Sequence, residues 1–153
     1  MRGIMFQIKN EYGKQLADLL VDIVDPAWVW SIDPVESYKV ENDTLADSLF
    51  LDVVMDGQGF SELINTHIHY LIFADLKAFP TRESIVEVKN VEDFMGSECQ
   101  LAFLLTDSVY TRILAKDEEV IRKLGERARL KGFTEIEYLT DEQVSGMMLT
   151  TWG

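Results

Sequence analysis

The two histidines of the chain, His67 and His69, stand two residues apart at the mouth of an apolar run, "THIHYLIFADLKAFP", and Asp75 follows within it. On a strand, residues two apart point to the same face, so both imidazoles would reach one cation. A hydrolytic zinc centre needs three protein ligands and an open position for water, and Asp75 offers the third ligand. The chain has no third histidine, no Cys-x-x-Cys and no His-Glu-x-x-His. Spacing therefore leaves the third ligand open among Asp75, Cys99 and the other acids. The plainer reading of the pair is a polar lead-in to a buried strand.

Other chemistry finds less support. Cys99 follows Glu98 and precedes an apolar run, whereas a reactive thiolate wants a neighbouring cation or helix N-terminus. "GFSEL" and "VSGMM" lack the Gly-x-Ser-x-Gly of a nucleophile elbow. "DGQGFS" has Gly-x-Gly without a third glycine or a following Gly-Lys-Ser/Thr, so it reads as a turn and not a phosphate cradle. Asp52, Asp56 and Gly57 have the outline of a calcium loop, but Val53, Val54 and Met55 stand where oxygen ligands are needed. No cofactor is expected.

Charge is the strongest global signal. Among 153 residues, 27 acids face 14 Lys and Arg, for a net charge of −13. From Asp18 to Glu62 there are eleven acids against one base, Lys39. Phosphate neutralisation needs clustered cations, so the balance speaks against nucleic acid and anionic membranes. It suits a basic protein or a cation, and it also serves solubility. Trp28 and Trp30 fall in the same stretch, on one face of a short strand between Asp25 and Asp33. Buried, they are core; exposed, they are anchors of an interface. The candidate interaction residues are Trp28, Trp30, Asp43, Asp47 and Asp56.

Those residues need a scaffold. With 47% hydrophobic residues the chain builds a core of one domain, 1–153. No apolar run approaches the ~20 residues of a membrane span. "MRGIMFQIKNEYG" lacks a signal-peptide core, and one cysteine makes no internal disulfide, so a cytoplasmic location is expected.

Periodicity predicts a first strand at Gly3–Ile8 with Ile4, Phe6 and Ile8 on one face, then a helix capped by Asn10 and closed by Asp25-Pro26. "AWVWSIDP", "ESYKVEN", "SLFLDVVM" and Tyr70–Leu76 read as strands, "DGQG" as a turn and "FSELINT" as a short helix. Asn90 caps a helix in "VEDFMGS", and Thr106-Asp107-Ser108 joins two strands as a hairpin. "DEEVIRKLGERARLKGF" is a helix with acids at its start, cations at its end, pairs Glu118/Arg122 and Glu119/Lys123, and Gly132 as its stop. "TEIEYL" returns as a strand, "TDEQVSG" opens with a capping signature, and "MMLTTW" closes the sheet. The strands joined by the long helix, between Val109 and Leu139, are candidates for a parallel pair. The order predicts an α+β domain: a mixed, mostly antiparallel sheet with helices packed on it.

"LAFLLTDSVYTRILAKDEEVIRKLGERARLKGFTEIEYLTDE", the closing "TTW" and the opening "GIMFQIKNEYG" resemble a family of small uncharacterised Firmicutes proteins, a domain of unknown function. The resemblance implies a cytoplasmic bacterial protein of about one domain and brings no site residues with it.

The sequence thus points to a non-enzymatic acidic interaction or regulatory module, inhibitor- or immunity-like, that binds a basic partner. The alternative is a small metal-dependent hydrolase using His67 and His69. A third expectation is a homo-oligomer joined through sheet edges such as "MMLTTW".

Overall fold

Ile4, Phe6 and Ile8 do alternate into a core, and the strand they define is the second from one edge of a seven-stranded sheet. The computed structural model describes residues 1–33 and 36–151. In chain order the elements are β1 (Gly3–Gln7), α1 (Gln15–Leu20), β2 (Val29–Ile32), β3 (Ser37–Glu41), β4 (Thr44–Ser48), β5 (Val54–Asp56), α2 (Gly57–Thr66), β6 (His69–Leu71) and β7 (Ala74–Phe79). There follow α3 (Val91–Gly96), β8 (Leu101–Thr106), β9 (Tyr110–Ala115), α4 (Glu118–Leu130), β10 (Thr134–Leu139) and α5 (Asp141–Val144). The large sheet runs β10-β1-β9-β8-β7-β2-β5, and a small one runs β4-β3-β6.

The fold is α+β, and the neighbouring strands of the described residues pair antiparallel. The strands that flank α4 do run the same way, but β1 lies between them and pairs antiparallel with each. Strand alternation sends side chains to two cores. Ile4, Phe6, Trp30, Leu76, Phe103 and Ile113 meet α1, α2 and α4 on one face. Phe79, Ala102, Leu104 and Leu114 meet α3, α5 and the C-terminal segment on the other.

Several boundaries depart from the sequence reading, each for a local reason. The first helix starts at Gln15, not after Asn10. Asn10 accepts instead from the Tyr70 hydroxyl, and Gly13 is bridged to His69. The helix closes at Leu20, well before Asp25-Pro26. "SLFLDVVM" is no single strand, because the chain crosses there from the small sheet (Thr44–Ser48) to the large one (Val54–Asp56), leaving Leu51 and Val53 exposed. Tyr70–Leu76 is likewise split. The Ile72 and Phe73 amides both donate to the Glu36 carbonyl (2.9 Å each), turning the chain from β6 in one sheet to β7 in the other.

"DGQG" is the first turn of α2. Asp56 is its N-cap, accepting from the Gly59 amide at 2.7 Å. "MMLTTW" adds no strand to the sheet: Met148 makes one isolated bridge to Asn90, and Trp152 lies outside the described residues.

The second half follows its sequence signals closely. Asn90 caps α3, and Thr140 with Gln143 forms a reciprocal capping box at α5. Asp107 (φ 51°) and Ser108 (φ 65°) turn the hairpin in the left-handed region, the conformation that the more usual Asn-Gly pair serves. Gly132 (φ 75°) stops α4. The ion pairs on α4 differ from expectation: Arg122 takes Glu119 and Glu126, while Glu118 meets the N-terminal ammonium.

Candidate functional site

His69 is fully buried at the start of β6. Its Nε2 accepts from the Leu16 amide (3.2 Å), which requires that nitrogen to be unprotonated. Its Nδ1 lies 2.9 Å from the His67 carbonyl oxygen, an acceptor, so Nδ1 carries the proton and donates. Burial lowers the imidazole pKa, and the ring is a neutral clamp joining the start of α1 to β6. Both ring nitrogens are occupied by backbone. His67 is the C-cap residue of α2 and half-buried.

Asp75 lies on the large sheet and faces the opposite core from α1, so the structure does not bring it to the histidines. Among the described residues no three His, Cys, Asp or Glu side chains gather to hold a metal.

Asp75 has a different neighbourhood. It is 2% exposed and pairs with Lys77, 7% exposed, two residues along the same face of β7. Lys77 also donates to the Leu149 carbonyl at 2.6 Å. Arg112 on β9 donates to the carbonyls on either side, Met148 (3.0 Å) and Thr150 (3.3 Å). Three consecutive carbonyls of the C-terminal segment are thus held by two cations rising from the sheet. Burial pushes the Asp75 carboxyl up to about 6, against the pull of Lys77 and with help from the Asp33 carboxyl that it meets. Beside the pair opens a cavity of about 260 Å³, lined by Ser31, Asp33, Val86, Val88 and Thr150 among others.

This cluster was missed by sequence reasoning, which weighed Asp75 only as a metal ligand. Its signal was there: opposite charges two apart inside the apolar strand "ADLKAF". Cys99 is buried nearby and bonded to the Leu101 carbonyl, and burial lifts its thiol to about 11, so it is an inert core group.

The third arrangement is on the surface. Trp30 is 1% exposed and stacks on Phe60 with ring centroids 4.2 Å apart, so its indole is core and not a displayed platform. Trp28 is half-buried against the same core. Asp43 sits at the tip of the β3–β4 hairpin, Asp47 on the outer strand β4, and Asp56 at the start of α2; all three are exposed. Asp22 and Asp25, on the segment after α1, face α2 across an apolar hollow over Trp30 and Phe60. No acid from Asp22 to Glu62 has an ion-pair partner among the described residues. No helix of the described residues is long and apolar enough to cross a membrane.

Comparison with known proteins agrees with the resemblance seen in the sequence. The "Uncharacterized protein YncE" of Bacillus subtilis (strain 168) is 33% identical over 150 residues, covering 97% of this chain and 98% of that protein. No solved structure matches the chain. A family profile described as "Protein of unknown function (DUF2691)" matches residues 1–150, and the chain belongs to that family.

Proposed function

We propose that this protein is a non-enzymatic, acidic interaction module of the cytoplasm that binds a basic partner protein, in the manner of an inhibitor or immunity protein. One observation carries the reading: among the described residues the exposed carboxylates from Asp22 to Glu62 form no ion pair, and the ion pairs that are formed lie outside that stretch. Unneutralised like charge on one stretch repels itself, and a cationic surface relieves that repulsion and is steered toward it. Leu45, Leu51 and Val53 are exposed among those acids and supply apolar contact area beside the charge.

The test is to purify the tagged protein from its host at low salt, beside a Glu41→Lys/Asp47→Lys/Asp52→Lys/Glu62→Lys variant, and compare what co-purifies. Asp43, with φ 60°, and Asp56, the α2 cap, are left intact so that the variant keeps its fold. A basic protein retained by the wild type and lost from the variant is expected. Identical co-purifying sets would refute the reading.

A further inference from the structure

The hollow over Trp30 and Phe60 is built into the backbone. At Gly57 an added Cβ would lie 2.1 Å from the Pro26 carbonyl oxygen and 2.6 Å from that of Trp28, so only glycine lets the segment after α1 lie against the start of α2. Between the two runs a hollow of about 280 Å³, whose reachable apolar wall is Val21, Val24 and Pro26, with the buried Leu20, Trp30, Phe60 and Ile64 beneath it. That volume sits at the small end of ligand pockets, roughly 300–1,000 Å³, and suits one or two side chains.

A second hollow of about 680 Å³ continues it along α2, sharing Pro26, Gly57 and Ser61. The charged residues among the linings of both are Asp22, Asp25 and Glu62, all acids. An apolar wall within an all-acidic rim matches an apolar side chain flanked by cations, and it disfavours an acidic or neutral occupant.

We infer that this trough docks a basic segment of the partner, with one bulky apolar side chain against Val21, Val24 and Pro26 and Lys or Arg against Asp22, Asp25 and Glu62. The inference rests on the basic-partner reading above and adds the place and the chemistry of the anchor.

The full chain, labelled with ¹⁵N, is titrated at low salt with the blocked peptide Lys-Lys-Leu-Leu-Lys-Lys and with its Lys-Lys-Ser-Ser-Lys-Lys counterpart. Shifts at the Gly57, Gln58 and Ser61 amides and the Trp30 indole, with the leucine peptide at least tenfold tighter, are expected. Ser61→Phe, which fills the trough from an exposed position, and Glu62→Lys, which changes only the rim charge, each weaken binding at least tenfold with an unchanged melting temperature. If both peptides bind equally and the shifts gather on Thr44–Ser48, the trough is overturned while the basic-partner reading stands. If neither peptide binds, both fall.

Discussion

Lys77 is buried and held between a carboxylate and a backbone carbonyl, and two stability predictions follow from that environment. Removing one member of a buried ion pair strands the other, at roughly 3–5 kcal/mol. Lys77→Met should show a loss of that order in chemical denaturation, and Asp75→Asn/Lys77→Met should recover much of it. A double variant no more stable than the single one would mean that the pair is not what holds this corner.

The second prediction concerns pH. The folded carboxyl of Asp75, at about 6, stands above its ordinary 3.8, so the native state holds its proton more tightly than the unfolded chain does. The stability it contributes is complete below pH 4 and lost as pH rises through about 6, up to about 3 kcal/mol at 1.36 kcal/mol per unit. His69, lowered by burial, acts with the opposite sign as pH falls, so the wild-type profile mixes the two. The difference between wild type and Asp75→Asn across pH 4–7.5 isolates Asp75, and a flat difference would contradict the assignment. These roles were half legible in the sequence. The His67–His69 spacing was seen but not the backbone groups that take both nitrogens of His69, because those come from Leu16 and His67 through a fold that periodicity does not specify.

Among the elements, the second half was readable because its signals are local: caps at Asn90 and Thr140, a left-handed stop at Gly132, a clean amphipathic stripe on α4. Between Asp33 and Leu76 the strand in "ESYKVEN" and the helix in "FSELINT" were readable, but the crossings were not, because the chain passes there between two sheets. A crossing such as Leu49–Val53 is apolar apart from Asp52, with Leu49 buried on one side of it and Val54 half-buried on the other, so it reads as a continuing strand. Gly57 shows how a long-range cause hides in a local motif. "DGQG" looks like a turn, yet its first glycine is required by Pro26 and Trp28, thirty residues earlier in the chain. Gly57→Ala should therefore destabilise by about 1–3 kcal/mol, the usual range for overpacking, although alanine is the better helix former. Gly59, which meets only the Asp56 carboxylate and the Met55 methyl, is the control: Gly59→Ala should cost less. Equal melting temperatures for the two variants would show that the Pro26–Trp28 segment yields freely.

For the whole molecule, composition carried the functional reading and the structure refined its layout. The sequence showed eleven acids against Lys39 between Asp18 and Glu62. It did not show that the stretch divides into a projecting hairpin, with Asp43 and Asp47, and a trough rimmed by Asp22 and Asp25, while Trp30 goes to the floor. An interface of this kind is screened by salt, since the Debye length falls to about 3 Å at 1 M. The most direct measurement is a native mass spectrum of the protein purified from its host without chelator, at low and then high ammonium acetate. A complex with a basic protein is expected at low ionic strength, dissociating as the salt rises. A lone chain at low salt, or a chain carrying one metal ion and no protein, would contradict it.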